Sequence, residues 1–419
     1  MKAGFFYRLF SVISFNIFVL MDELKLSRKL NFLYTNIGRG HPFYLDGINE
    51  ALIRKGQIKL VRNHTDVFEL SKGLSKLGWK LIRYLYQEGS QDGMISRFYN
   101  HLRQNSDYNK NSLIKNILAR DIVKKFDGSD DPVIVAHPLL ASMLRGKVEL
   151  LYQHGELIAP EEAIVRGIDY VFVPTEPVAE KFIQAGYNKD QIIQTGICIE
   201  PPLVRMAEDC YKARLDRLCG QEPLCGAYFS SGAEPKRHVD KLLKTLWSSL
   251  NAGHKAILFA KANGRLYQEA MAFFLKHNLD FGVIMSSELI PHELPQLSLV
   301  VYQSRREENS FTAKLFKAFD FLVMPAHERT NWAMGLGLPS FILTPNIGPF
   351  APMNAKLMLD KGVAITVDDN IIDDYGNHLS ELRQNGEIQQ MAQKGWGEKI
   401  DGFAAIADFL GAKYSTGLL

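Results

Sequence analysis

A chain of 419 residues is too long for one hydrophobic core and suits two domains of about 200 residues each. Its 46% hydrophobic and 23% charged residues are ordinary for a globular protein, and 49 basic against 46 acidic side chains leave a net charge of only +3. That balance excludes recruitment of nucleic acid by a global field, so any anionic partner needs a local basic patch. Cys198, Cys210, Cys219 and Cys225 show neither paired metal-ligand spacing nor a secreted disulfide framework, which points to a reduced, cytoplasmic setting.

At the start of the chain, Lys2 and Arg8 precede an apolar run from Leu9 to Leu20 that is too short to span a bilayer comfortably. No small-residue cleavage site follows, and Met21 opens MDELKLSRKL directly before the first strand. Residues 1–20 therefore stand outside the fold. They read as a mis-assigned start, a membrane-associating segment or, last, a cleaved signal.

From Leu30 onward, strand-like and helix-like segments alternate, the pattern of parallel sheets with crossover helices. The first series of strands is Leu30–Thr35, Ile58–Arg62, Pro132–Ala136, Val148–Gln153, Tyr170–Pro174 and Ile192–Thr195. A helix from about Pro42 to Lys55 follows the first of them, with Phe43, Ile48, Ala51 and Leu52 as its inner face. A charged helical stretch, Pro201–Gln221, ends before Pro223. A second series then runs Leu224–Ser230, Ala256–Ala260, Phe281–Met285, Leu299–Gln303, Phe321–Met324, Ser340–Thr344 and Val363–Val367.

The predicted fold is α/β, with two Rossmann-like, doubly wound domains facing a cleft. Residues 21–205 form an acceptor-side domain, 206–222 a linker, and 223–398 a domain for the donor nucleotide. Residues 399–419 form a C-terminal helix able to cross back onto the first domain.

Ligands of open α/β sheets bind at the carboxyl ends of strands, near helix N-termini. Six loops qualify. The first, Asn36-Ile37-Gly38-Arg39-Gly40-His41, combines glycines that let backbone approach a ligand with a titratable side chain. His41 there is a candidate general base or phosphate donor, the plainer reading being a helix cap. His137-Pro138 follows the third strand, where the ring has a capping role open to it. Gln153-His154-Gly155-Glu156 follows the fourth, with His154 and Glu156 as candidate catalytic groups.

Ser230-Ser231-Gly232, with Lys236 and Arg237 beyond it, suits a diphosphate, or else is a capping turn with a solvated charged face. The last two loops run from His327 to Pro339, with Glu328, Thr330 and Asn331, and from Pro345 to Asn354. No Asp-x-Asp stands in a candidate loop, so no metal and no separate cofactor is expected.

Between Lys72 and Gln87, Lys72, Lys76, Lys80 and Arg83 are mixed with Leu74, Leu77, Trp79, Leu81, Ile82, Tyr84, Leu85 and Tyr86. The mixture suits an interfacial membrane helix and equally a core helix with a solvated basic face; composition does not separate the two.

Together these loops resemble the GT-B glycosyltransferases related to the lipid II-forming N-acetylglucosaminyltransferase and to the monogalactosyl- and glucosyl-diacylglycerol synthases. Gly38-Arg39-Gly40-His41 is similar to that group's glycine-glycine-His loop, near the donor phosphates. Asp66-Val67-Phe68, Tyr84-Leu85-Tyr86 and Phe98-Tyr99 resemble its lipid-facing region. Phe172-Val173-Pro174-Thr175-Glu176, Gly186 and Gln194-Thr195-Gly196-Ile197 resemble the end of its first domain. Ala333-Met334, Gly337-Leu338-Pro339, Asn354-Ala355 and Gly362 follow its donor site.

Two departures stand out. Trp332 occupies the place of a ribose-binding Glu, and Phe350 and Ala351 stand where glutamines read the sugar. Glu328 or Asn331 are the neighbours able to substitute.

The resemblance implies an inverting hexosyltransferase that takes a UDP-linked nucleotide-sugar as donor substrate and a hydroxyl acceptor, a lipid among the candidates, at the inner face of a membrane. Gly38, Gly40, Ser231, Gly232, Arg237, His327, Glu328, Thr330, Asn331 and Asn354 would hold the donor. His41, His154 and Glu156 would serve catalysis. A sugar epimerase-like enzyme using Glu156, Glu161 and Glu176 is the alternative, and a catalytically idle nucleotide or lipid binder, suggested by Trp332 and Ala351, is a third. No reading of the oligomeric state follows from the sequence.

Overall fold

The structure, a computed structural model, describes residues 28–37, 40–89, 107–348 and 350–415. Residues 1–20, Gly38, Arg39, Phe98 and Tyr99 lie outside the described residues. Among the described residues, thirteen strands form two parallel sheets.

The first sheet contains β1 (Leu30–Tyr34), β2 (Val61–Asp66), β3 (Val133–Val135), β4 (Leu150–Gln153), β5 (Tyr170–Val173) and β6 (Ile192–Gln194). Its order is β2-β1-β3-β4-β5-β6. Its helices are α1 (Gly40–Arg54), the short α2 (Val67–Leu70), α3 (Gly73–Gly89), α4 (Leu113–Phe126), α5 (Pro138–Leu144) and α6 (Glu176–Gln184). Helix α7 (Pro201–Cys219) leads to the second sheet and fills most of the stretch expected as a linker.

Strands β7 (Cys225–Phe229), β8 (Lys255–Lys261), β9 (Gly282–Ile284), β10 (Leu297–Tyr302), β11 (Phe321–Met324), β12 (Ser340–Leu343) and β13 (Ala364–Val367) form the second sheet. Their order is β13-β12-β11-β7-β8-β10-β9. The helices are α8 (Lys236–Asn251), α9 (Arg265–Lys276), α10 (Arg305–Leu315), α11 (Thr330–Gly335), α12 (Phe350–Asp360), α13 (Tyr375–Gln384), α14 (Glu387–Lys394) and α15 (Gly402–Tyr414).

Both sheets are covered on two faces, which is why their strands read as near-continuous apolar runs. β2 is the exception. Ile58–Leu60 forms a 3-10 turn rather than the start of a strand, and Arg62, Asn63 and His64 are exposed on a sheet edge that an apolar pattern does not mark.

Helix α7 is pinned to the second sheet by a fully buried Arg214, which donates to the carbonyls of Phe319 (2.9 Å), Leu336 (2.7 Å) and Gly337 (3.1 Å). Helix α15 returns to the first sheet. Phe403, Ile406, Ala407, Leu410 and Tyr414 share a core with Leu30, Phe32, Phe43 and Leu52. Gly47 of α1 leaves room for the Phe403 ring, into which a β-carbon there would run.

The sheet orders fix the crevices. β1 lies between β2 and β3, and β7 between β11 and β8, so the direction of winding reverses at β1 and at β7. Ligand crevices of such sheets open at the carboxyl ends beside those strands. The two domains of this GT-B architecture meet there.

Candidate active site

The loop after β1 and the start of α1 bring His41 to the first crevice. Its Nδ1 lies 2.8 Å from the carbonyl of Ala136, at the end of β3. A carbonyl only accepts, so Nδ1 carries a proton. The His137 ring sits 4.3 Å away and caps α5, its Nδ1 accepting from the Leu139 N–H at 3.1 Å. His137 therefore has the capping role, with its own proton on Nε2.

At the end of β4 the chain sends adjacent residues opposite ways. His154 does not reach the cleft: it is 3% exposed, packs against Phe182, and its Nε2 lies 3.0 Å from the Ile158 carbonyl. Burial lowers its pKa to about 4, which leaves a neutral ring inside the first domain. Glu156 turns the other way. Between them, a β-carbon on Gly155 would collide with the Tyr44 ring, so this turn requires glycine for close packing.

Glu156 is the centre of a polar cluster drawn from both domains. Its Oε1 lies 3.7 Å from where a β-carbon of Gly40 would stand, at the start of α1. Its Oε2 accepts from Asn354 Nδ2 of α12 at 3.3 Å, and the same amide donates to the Ala326 carbonyl at 3.3 Å. Asn354 is fully buried, and its Oδ1 has no partner. Enclosure by protein, then the neighbouring Glu328 carboxylate, raise the pKa of Glu156 to about 7, against the opposing hydrogen bond from Asn354. Burial likewise holds Tyr44 well above the usual phenol range, with the Glu156 charge as the next cause. The arrangement holds a carboxyl group able to give or take a proton near neutrality.

The loop after β11 supplies the opposite wall. Arg329 is buried in an ion pair with Glu308 and contacts Glu328 Oε1 at 3.4 Å, its guanidinium 3.9 Å from the Phe229 ring centre. Thr330 donates its hydroxyl proton back to the His327 carbonyl, closing the first turn of α11. Asn331 Nδ2 donates to the Cys198 carbonyl at 3.0 Å, and Trp332 Nε1 donates to Glu200 Oε2 at 2.9 Å. These two side chains stitch α11 to the crossing between the domains. Trp332, 2% exposed among Phe229 and Phe316, is a core residue.

After β7, Ser230 Oγ is buried without a partner, and Ser231 and Gly232 form a turn in which the Ser231 carbonyl accepts from Glu234 N at 3.1 Å. Glu234 holds a left-handed φ of 45° and caps α9 by accepting from Leu266 N at 3.0 Å. Arg237 is not brought to this cluster. It lines a groove with Lys241, Lys244, Thr344 and Asp369 near the ends of β12 and β13. Glu161 and Glu176 are exposed elsewhere, so of the three acids named for the epimerase reading only Glu156 enters the cluster.

At the rim, Arg305 of α10 reaches across the cleft. Its Nη2 lies 2.8 Å from Asp46 Oδ2, and its Nη1 donates to Asn36 Oδ1 at 3.4 Å. Tyr44, Asp46, Arg305 and Glu308 were not singled out from the sequence. Tyr44 lies three residues after His41 on α1, hence on the same helix face, and Arg305 follows β10 directly; helical spacing and the strand-end rule would have found both. Among the described residues, no three His, Cys, Asp or Glu side chains are grouped as metal ligands, and no helix is long and apolar enough to cross a membrane.

No family model and no curated protein matches the chain. Solved structures do. A Listeria monocytogenes protein assigned as a UDP-N-acetylglucosamine 2-epimerase is 13% identical at a TM-score of 0.53, over 92% of this chain and 96% of that one. S. aureus MnaA in complex with UDP is 13% identical at 0.52, over 94% and 98%. The UDP-GlcNAc 2-epimerase of Neisseria meningitidis bound to UDP-GlcNAc is 11% identical at 0.50, over 92% and 99%. At such identities the likeness is one of fold, and it extends over both domains.

Proposed function

We propose that the chain binds a nucleotide-sugar across the cleft and breaks the bond between its anomeric carbon and the diphosphate, passing the sugar to a hydroxyl acceptor with inversion. The observation that carries this reading is the convergence of Tyr44 and Glu156 from one domain with Glu328 and Asn354 from the other, beside the start of α1 that carries His41. The like-folded structures with bound UDP and UDP-GlcNAc add support for the donor class.

The diphosphate would lie at Ser230-Ser231-Gly232, held by backbone N–H groups and the Ser230 hydroxyl. Of the two substitutes for the ribose-binding carboxylate, Asn331 is committed to the Cys198 carbonyl, which leaves Glu328. His41 Nε2 would take the acceptor's proton as the sugar carbon is attacked from the face opposite the leaving group. On the acceptor side the reading extends to a lipid hydroxyl presented at the inner face of a membrane.

Epimerisation at the sugar carbon beside the anomeric centre is the second reading. It is favoured by Glu156, half protonated near pH 7 and so able to exchange a proton with a carbon acid.

Incubation with a panel of UDP-sugars in deuterated water, with and without hydroxyl acceptors, separates the two. Acceptor-dependent UDP release establishes transfer, and deuterium at the neighbouring carbon establishes epimerisation. Failure of every UDP-sugar to bind or react sinks both readings and leaves an idle homologue.

A further inference from the structure

On the second domain, helix α8 and the loops beyond β12 and β13 border a groove of about 510 Å³ that shares no residue with the polar cluster around Glu156. Arg237, Lys241 and Lys244 recur along α8 at a spacing that puts them on one helix face, toward Thr344, Pro345 and Asp369. His238, fully buried in the same helix, donates from Nε2 to the Pro345 carbonyl at 2.7 Å, which ties the far wall to α8.

Lys241 is the unusual member. It is only 9% exposed, and its ammonium donates to Thr344 Oγ1 at 2.8 Å, while that hydroxyl donates onward to the Val367 carbonyl at 3.1 Å. Taking an ammonium out of water is costly unless a counter-charge accompanies it. Among the described residues that counter-charge is Asp369, 3.0 Å away, whose own side chain is 89% exposed beyond the end of β13. A buried cation thus depends on a carboxylate that the core does not hold. The hydrogen bond and charge of Lys241 keep the Asp369 carboxyl below its usual range, and the charges of Arg237 and Lys244 add to the effect. Three cations therefore converge on the place where one loop-borne anion stands.

Charge identifies what can take that place. The other carboxylates on the lining are Asp240, which answers Lys236 at 2.9 Å, and Asp373. With Asp369 turned out to solvent, Arg237, Lys241 and Lys244 face Asp373, an excess of two positive charges. A monoanion from solution merely replaces one carboxylate by another, and competes against one that is tethered at high effective concentration. A phosphate group brings close to two charges and several acceptor oxygens, so it can engage Lys241 and the flanking cations together.

We propose that this groove binds a phosphate dianion, free or as a monoester, with Asp369 as the built-in occupant that the ligand displaces. It is a second site, beyond the nucleotide-sugar reading of the cleft, and it gives Arg237 a role in place of the donor-diphosphate one expected from the sequence. The chain that leaves the groove at Pro345 continues into α12, which carries Asn354 at the cleft floor.

The test is isothermal titration calorimetry of the full chain at low salt, with inorganic phosphate, with glycerol 3-phosphate, and with acetate as the monoanion control. Each titration is run with and without saturating UDP. Asp369→Asn removes the competitor and should tighten phosphate binding about fivefold or more. Lys241→Gln should weaken it about tenfold or more. Arg237→Gln/Lys244→Gln, at two exposed positions, should weaken it several-fold without touching the core. Circular dichroism checks that each variant is folded, and the tighter of the two phosphates identifies the source. Absence of saturable binding in both the wild type and Asp369→Asn overturns the proposal. So does binding that Asp369→Asn leaves unchanged or weakens, that acetate matches, or that UDP abolishes. Ser230→Ala, at the proposed diphosphate turn of the cleft, should leave phosphate binding unchanged; a loss there would return the anion to the cleft and sink the second site.

Discussion

The two domains touch across the cleft at a rim and at a floor, built from similar residues under opposite conditions. At the rim, Arg305 and Asp46 form an ion pair whose side chains are 32% and 44% exposed. Water solvates and screens both partners, so such a pair contributes about 0–1 kcal/mol. At the floor, Glu156 lies beside Asn354 and Tyr44, and burial, then the Glu328 charge, raises its proton affinity. The rim can part at little cost, whereas the floor sets proton affinity. Parting of the domains and proton affinity are thus governed by different contacts in one interface.

The strongest blow to that contrast falls just beneath the floor. Glu308→Ala takes the close carboxylate from the buried Arg329 guanidinium, and is expected to cost about 3 kcal/mol or more in urea unfolding. A loss below about 1 kcal/mol would put the floor on the same footing as the rim.

Glu156→Gln comes next. Turnover on a UDP-sugar should drop about 100-fold. Stability relative to the wild type should move the other way. The wild-type carboxyl titrates at about 7 when folded and near its ordinary 4.5 when unfolded, so the folded state holds a proton that the unfolded state has released between those values. Its stability contribution is complete below pH 4.5 and is lost as pH rises to 7. The variant should therefore gain on the wild type across that window, by on the order of 2 kcal/mol, and run parallel above it. Burial depresses His154 and His254 to about 4, which pulls the opposite way between pH 4 and 6.5, but both are present in either protein and cancel in the difference. A difference flat in pH would show that Glu156 is not enclosed.

Arg305→Gln should have the smallest effect. Its stability should change by less than about 1 kcal/mol, and half a molar salt should erase the difference. Small-angle scattering should show a wider cleft in the variant; an unchanged profile would mean that the floor alone holds the domains together.

Much of the fold was legible because parallel strands covered on both faces must be apolar throughout: Phe321–Met324 agrees residue for residue, and most other strands differ by one or two. β2 was misplaced because an edge strand with Arg62-Asn63-His64 outward has no such pattern. The cleft loops were legible from strand ends and glycines. Which neighbour faces the cleft was not: His154 and Glu156 part company at Gly155, against which the Tyr44 ring packs from more than a hundred residues away in sequence. Trp332 with Glu200 and Arg305 with Asp46 likewise exist only once two domains have docked. In α3 the sequence offered two readings of one set of leucines. The structure divides them, Trp79 going to the core and Leu77 and Leu81 to solvent.

Helix α15 sets the order in which the molecule is completed during synthesis. The first sheet is made first, yet one of its faces is covered by Phe403, Ile406 and Leu410, which are translated only after every strand of the second sheet. The core between the second sheet and its outer helices is complete by Ala392. The second-born domain can close while the first-born still shows Phe32, Phe43 and Leu52 to the ribosome's surroundings, and a chain stopped short of Gly402 would present that bare face to chaperones and proteases.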